Sequence, residues 1–119
     1  MNLSLPNKML RLEGAVILIA ALFAYYQLGF GWLAFVLLLL WPDLAFIFYA
    51  VDKNLGILVY NLFHTLTFPI ILIGISFIMS WPLGLQFALI WLAHIGMDRL
   101  VGYGLKYSGE GKDTHLNRI

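Results

Sequence analysis

Residues Phe30 to Val51 read FGWLAFVLLLLWPDLAFIFYAV, an apolar run in which Asp43 is the single charged residue. A bilayer core about 30 Å thick is crossed by roughly 20 apolar residues in an α-helix. This run is long enough to make that crossing once. It therefore predicts a membrane-spanning helix, and that prediction decides the fold class of the whole chain.

The composition agrees with a membrane protein. The chain has 119 residues, of which 62% are hydrophobic and 11% are charged, whereas soluble domains are about 25% charged. Seven Lys and Arg residues with six Asp and Glu residues are too few to cover the surface of a soluble domain. The net charge of +1 gives no indication for nucleic-acid binding, and no nucleic-acid partner is expected; the absence of cysteine excludes disulfides and thiolate metal ligands.

Apolar runs of similar length fill most of the chain, and short breaks separate them. The predicted fold is all-α, an integral membrane bundle of four transmembrane helices with antiparallel neighbours, spanning residues 1–107. Proline cannot donate a helix hydrogen bond, so kinks are predicted at Pro42 and Pro69. Residues 108–119 are expected to form a cytoplasmic juxtamembrane tail. The four predicted helices are Leu10–Gln27, Phe30–Val51, Leu55–Ser80 and Gly84–Leu105.

Basic residues predict the orientation of the bundle. They occur before the first helix, in the break after the second and beyond the fourth, whereas the other two breaks have none. Under the positive-inside rule, both termini of this multi-pass protein are expected in the cytoplasm. The residues are Lys8, Arg11, Lys53, Lys106, Lys112 and Arg118.

Ionisable residues also occur inside the predicted spans, where a charged group costs at least about 2.5 kcal/mol to insert. At about 1.5 Å per residue, Asp43, His64 and Asp98 lie about 11 to 13 Å from the cytoplasmic ends of their helices. His94 lies about 17 Å from its helix end, and it shares one helix face with Asp98 and Gly102. These groups are therefore expected to face one another inside the bundle.

The first helix carries a stripe of small side chains that predicts its packing face. The stripe runs through Glu13, Ala20, Ala24 and Gln27. Small residues allow helix backbones in membranes to approach closely. Glu13 is therefore expected on the bundle-facing side of this helix, nearer the cytoplasm than the other polar groups.

One interpretation of the polar site is a metal centre. Two imidazoles and two carboxylates suit a divalent transition metal such as Zn, Mn or Fe. Glu13 would then either support the ligands from outside the coordination sphere or act as a general base. The predicted ligands are Asp43, His64, His94 and Asp98.

Two other interpretations compete with the metal centre. In the first, Arg99 neutralises Asp43 or Glu13, the histidines form hydrogen bonds within the bundle, and the cluster is purely structural. In the second, the same groups carry protons or bind a polar solute, which would make the protein a small transporter.

Several motifs resemble those of a family of uncharacterised bacterial membrane proteins, domain of unknown function family 4260. The resemblance covers most of the chain. It implies a location in the bacterial cytoplasmic (inner) membrane, and it implies no activity. The motifs are RLEG at Arg11–Gly14, PD at Pro42–Asp43, YNLFHT at Tyr60–Thr65, IWLAHIGMDRLVGYGLKY at Ile90–Tyr107 and KDTHL at Lys112–Leu116.

The order of three motifs is also similar to the pattern of membrane-bound metal-dependent hydrolases. That pattern combines an early PD, a middle His-Thr and a late H-x-x-x-D on apolar helices. Asp43, His64–Thr65, His94 and Asp98 follow this order, although Phe63 stands where the pattern has an arginine. The similarity implies metal-assisted hydrolysis of a lipid or amphipathic substrate.

The same hypothesis assigns roles to four further residues. Glu13 would be the catalytic base, while Arg99, Lys106 and His115 would bind an anionic head group of the substrate. Besides membrane lipids, the expected partner is a second copy of the chain, in a homodimer.

Overall fold

The computed structural model describes residues 3–105, and the regular structure in this range is entirely helical. The predicted all-α class is therefore confirmed. The predicted tail, residues 108–119, lies outside the described range. The elements are α1 (Leu5–Gln27), α2 (Trp32–Leu38), a 3₁₀ helix (Trp41–Ala50), α3 (Lys53–His64), α4 (Thr67–Ile78) and α5 (Pro82–Val101).

Helix α5 forms the centre of the fold, because α1 and α4 both pack against it. The backbones of α1 and α5 touch where Gly14 meets Gly96. A Cβ atom built on Gly96 would lie 2.7 Å from the amide nitrogen of Leu18 and 2.9 Å from the carbonyl oxygen of Gly14. Ala21 and Tyr25 continue the buried face of α1. The absence of a side chain at both glycines lets the two helices cross in direct contact.

The predicted packing face of α1 is wrong by one residue. Glu13 and Ala20 are exposed, whereas Gly14 and Ala21 are buried. One residue corresponds to a rotation of about 100° around a helix. The physical reason is that a glycine permits a closer approach than an alanine, so the face containing Gly14 is the one that meets α5.

This crossing makes a testable prediction. Gly96→Ala is expected to lower the free energy of unfolding by about 1–3 kcal/mol, because the methyl group would overpack two helix backbones that cannot move apart cheaply. Gly74→Ala, in α4, is the matched control, since a Cβ atom there meets nothing within 4 Å. Unfolding in detergent micelles measures both variants. Equal stability of the two would contradict the close crossing.

The second predicted span changes its type of helix part-way along. Trp32–Ala50 is one helical segment long and apolar enough to cross a membrane, but its α-helical part ends at Leu38 and the 3₁₀ helix begins at Trp41. A 3₁₀ helix of 10 residues is unusually long. The predicted kink at Pro42 is not confirmed, and this change of helix type lies beside it instead.

The third predicted span is broken into α3 and α4, which are bent by 44°. The break falls at residues 65–66, before Pro69. Pro69 itself lies in the first turn of α4, where proline is tolerated because that turn lacks intrahelical N–H partners. The predicted kink at Pro69 is not confirmed, and the chain is interrupted about one turn earlier.

The last carbonyl groups of α3 have no partner inside their own helix, and α5 supplies donors to two of them. The indole Nε1 of Trp91 donates to the carbonyl oxygen of Phe63 at 2.6 Å. A guanidinium nitrogen of Arg99 donates to the carbonyl oxygen of His64 at 3.5 Å. These bonds hold the end of α3 beside α5.

Two packing units result. The 3₁₀ helix and α3 pack chiefly on each other, while α1 and α4 pack on α5. Between the two units lies a cluster of aromatic rings, in which the centroid of Trp41 is 4.6 Å from that of Phe87 and 4.9 Å from that of Trp91. The units therefore meet through side chains rather than along a helix-on-helix crossing.

The apolar helices identify a membrane protein. Within residues 3–105, α1 and Trp32–Ala50 are each long and apolar enough to cross a bilayer, and the bent pair of α3 and α4 adds a third crossing if it forms one span. A fourth crossing by α5 stays a prediction, because this helix carries polar residues and lies between α1 and α4.

Candidate metal centre

The four predicted ligands come together at the junction of the two packing units. Asp43 lies on the 3₁₀ helix, His64 is the last residue of α3, and His94 and Asp98 lie one turn apart on α5. One ligand atom from each residue lies within 4.8 Å of all the others. Each packing unit thus contributes one histidine and one aspartate.

Five of the six distances between these atoms match one tetrahedral ion, and the sixth, between the carboxylate oxygens of Asp43 and Asp98, is within 4.8 Å. The Nε2 atom of His64 lies 3.2 Å from Oδ1 of Asp43 and 3.5 Å from Oδ2 of Asp98. The Nε2 atom of His94 lies 3.2 Å from each of the same two oxygens, and the two Nε2 atoms are 3.3 Å apart. Bonds of about 2.0–2.2 Å in a tetrahedral zinc site separate the ligand atoms by about 3.3–3.6 Å.

A hydrogen bond determines which ring nitrogen of His64 is unprotonated and can offer its lone pair to an ion. The Nδ1 atom lies 2.8 Å from the carbonyl oxygen of Tyr60, and a carbonyl oxygen only accepts. Nδ1 therefore carries a proton and donates it, which leaves Nε2 of the neutral ring free to bind an ion. The ring of Tyr60 also stacks on that of His64, with centroids 3.9 Å apart and planes at 11°.

Charge balance points to a cation at the centre. Within the described part of the chain, Asp43 and Asp98 form ion pairs only with the two histidines. Two carboxylates in an apolar surrounding are unstable without a counter-charge. A divalent ion would neutralise both while the histidines stay neutral.

Protons on the two histidines balance the charge of the two carboxylates less favourably than a divalent ion does. Neutralising both carboxylates by ion pairs with the histidines would require both rings to be imidazolium, and the centroids of these two rings are 5.2 Å apart. Two positive charges at that distance repel by about 3 kcal/mol at an effective dielectric constant of about 20. The metal arrangement avoids this repulsion.

The match to a family model extends over residues 7–119, and that family is described as Domain of unknown function (DUF4260). The chain belongs to this family. The match includes all four residues of the candidate centre. No curated protein and no solved structure matches the chain. The likeness of this DUF4260 protein to membrane-bound metal-dependent hydrolases therefore rests on the order of its motifs alone.

The other predicted site residues of the DUF4260 chain are not members of the four-residue ligand group, although Arg99 directly follows Asp98 and donates to the carbonyl oxygen of His64. Glu13 is exposed on α1, and its charge interacts with the guanidinium of Arg99. Arg99 forms no ion pair with Asp43 in residues 3–105, and its buried Nε has no hydrogen-bond partner there. Lys106 and His115 fall outside the described residues.

The structure adds two supporting residues that the sequence analysis missed. Tyr60 holds the ring of His64, and Trp91 anchors the end of α3. A signal for Tyr60 was available, because it lies four residues before His64 and so on the same helix face. No sequence signal marks Trp91, because its bond to Phe63 joins two separate helices. The Nδ1 atom of His94 is buried without a hydrogen-bond partner among residues 3–105, so packing and the contacts of Nε2 with Asp43 and Asp98 orient that ring.

Proposed function

We propose that the protein binds one divalent transition metal ion inside the membrane, through Asp43, His64, His94 and Asp98. One observation carries this proposal: four ligand atoms from three separate helices lie within 4.8 Å of one another, and five of their six separations are those of a tetrahedral site. Tetrahedral coordination by nitrogen and oxygen favours zinc over manganese or iron.

The test is the metal content of protein purified without chelator and without nickel affinity resin. Wild-type protein is expected to carry about one ion per chain, since the four ligands surround one point. His64→Ala is expected to lose the ion while staying folded. Asp52→Asn is the carboxylate control, because Asp52 caps α3 through the amide of Leu55 and asparagine caps equally well. Folded wild-type protein that binds no added zinc would overturn the proposal.

We further propose that the bound ion serves hydrolysis of a lipid or amphipathic substrate. The ion would supply Lewis-acid chemistry, Glu13 would accept the proton of the attacking water, and Arg99 would bind the anionic head group together with Lys106 and His115. The exposure of Asp43, with 38% of its side chain accessible, supports this proposal, since a substrate can reach the centre only from an open side.

Hydrolysis makes a prediction that separates catalysis from metal binding. Glu13→Gln is expected to keep the ion and to lower the rate of hydrolysis by about 100-fold or more, because a positioned general base contributes that much. A panel of short-chain phospholipids and esters in mixed micelles provides the measurement. Metal-loaded wild-type protein that cleaves no member of the panel but moves ions into proteoliposomes would support transport instead.

We also propose that both termini and the turn at Asp52 face the cytoplasm. Lys8 and Arg11 at the start of α1 and Lys53 at the start of α3 support this orientation. The chain has no native cysteine, so a single introduced cysteine is the only thiol that the reagent can label. A cysteine at Asn54 is expected to resist an impermeant external thiol reagent in intact cells, and a cysteine at Gly29 is expected to react. The reverse labelling pattern would invert the orientation.

A further inference from the structure

The four ligands of the candidate centre are held with unequal firmness. The side chain of His94 is 0% exposed, that of His64 is 3% exposed, and that of Asp98 is 18% exposed, whereas that of Asp43 is 38% exposed. The ring of His64 is further fixed by the carbonyl group and the ring of Tyr60. Asp43 is thus the ligand most open to the outside.

Asp43 is also the one member of the four-residue ligand group that lies on a 3₁₀ helix rather than on an α-helix. Asp43 lies in the first turn of the 3₁₀ helix, directly after Pro42 and close to the non-helical residues 39–40. Hydrogen bonds in a 3₁₀ helix have poorer geometry than those of an α-helix. Its carboxylate contacts only the two histidines among the described residues. His94 and Asp98 instead lie on α5, the packed centre of the fold.

Four protein ligands complete a tetrahedron, and this creates a difficulty for any chemistry at the ion. Closed four-ligand zinc sites are structural, whereas catalytic zinc sites keep one position for water or substrate. Hydrolysis at this centre therefore requires one protein ligand to leave. The ligand that leaves must expose its position to an incoming molecule, and only Asp43 meets that requirement well.

We propose that Asp43 is an exchangeable ligand, and that a phosphate- or carboxylate-type oxyanion takes its place on the ion. This inference rests on the proposed metal centre. An oxyanion suits the vacated position because it restores the negative charge that Asp43 removes as it swings away. The oxyanion belongs either to a lipid head group or to a soluble molecule, and the two sources share this chemistry.

The experiment uses full-length protein in maltoside micelles, loaded with Co²⁺, whose visible absorption reports its coordination. Inorganic phosphate is titrated into wild type, Asp43→Ala and Asp98→Ala. In wild type, phosphate must compete with the internal carboxylate, so its apparent Kd is raised by the small fraction of molecules in which Asp43 is displaced. Asp43→Ala is therefore expected to bind phosphate about 10-fold to 100-fold more tightly than wild type, for a displaced fraction of about 1–10%. Both proteins should reach the same phosphate-bound spectrum.

Asp98→Ala is the matched control, because it removes the same group from the buried side of the centre. It is expected to weaken Co²⁺ binding at least about 10-fold more than Asp43→Ala does, with no tighter binding of phosphate. Asp43→Asn is the second variant in case alanine impairs folding, which circular dichroism and size-exclusion chromatography monitor. Repeating the titration with a short-chain phosphatidate identifies the source: preference for the lipid indicates a head group, and preference for phosphate indicates a soluble oxyanion.

The possible failures are distinguishable. If wild type binds neither Co²⁺ nor Zn²⁺, the metal centre itself is wrong and the exchange falls with it. If wild type binds the metal but Asp43→Ala and Asp43→Asn bind phosphate no more tightly, Asp43 is a fixed ligand and only the exchange is overturned. The same conclusion follows if Asp98→Ala is the variant that gains phosphate affinity.

Discussion

Removal of the metal ion is expected to lower the melting temperature of the wild-type protein by about 10–20 °C. Free zinc at about 1,000 times its Kd stabilises the folded state by about 4 kcal/mol, if the unfolded chain does not bind it. For a chain between the small and the large domains of known behaviour, each kcal/mol shifts the melting temperature by about 3–5 °C. The effect is large because the ion joins two packing units that, within residues 3–105, meet chiefly through side chains of α5 and the 3₁₀ helix.

The measurement is a thermal melt in detergent with zinc, with a chelator, and with zinc restored after chelation. His64→Ala is the control, and its melting temperature is expected to respond to none of these additions. Asp52→Asn should respond as wild type does. A wild-type melting temperature that is the same with zinc and with chelator would show that paired histidines and aspartates hold the units together by protons alone.

Asp98→Asn is expected to weaken metal binding by about 100-fold or more, because asparagine keeps the volume of the side chain but removes the charge that attracts the ion. This loss exceeds the 10- to 100-fold range of supporting residues around metal ligands. Adding Arg99→Gln to Asp98→Asn is expected to recover none of the lost metal affinity. Arg99 forms no ion pair with Asp98 in the described part of the chain, and its guanidinium donates a hydrogen bond to the carbonyl oxygen of His64.

Calorimetric titration of zinc into the single and double variants measures this affinity, and thermal melts measure their stability. A structural ion pair makes the opposite prediction: Asp98→Asn would strand a buried cation, and Arg99→Gln would restore part of the lost stability. Recovery of the melting temperature in the double variant, with zinc binding unchanged throughout, would therefore favour the structural interpretation over the metal centre.

The residues of the candidate centre could be predicted because the argument needs only their positions within single helices. His94 and Asp98 share a face through their spacing of four residues, which any helix would impose. Asp43 and His64 were added by an argument from depth, since charged groups in a bilayer must find one another. The same argument does not apply to Arg99, which is long enough to reach a helix end and bonds to a backbone carbonyl there.

The geometry of the centre was not predictable. The 3₁₀ helix that carries Asp43 has no signal in the sequence, and the end of α3 at His64 bonds to partners from α5, such as Trp91 at the carbonyl group of Phe63. Gly102 was expected to lie within a helix that continued to Leu105, but it ends α5 in the left-handed conformation, with φ of 103°. Glycine adopts that conformation at low cost, which explains the earlier end.

The sequence by itself determined that the chain is a helical membrane protein, because the length and apolarity of a segment are properties of that segment alone. It also determined which ionisable residues are too costly to face lipid. Only the tertiary structure decided that Gly14 rather than Ala20 meets α5, and that the two Nε2 atoms lie 3.3 Å apart. Periodicity describes the faces of one helix, whereas the choice between adjoining faces depends on how closely two backbones can approach.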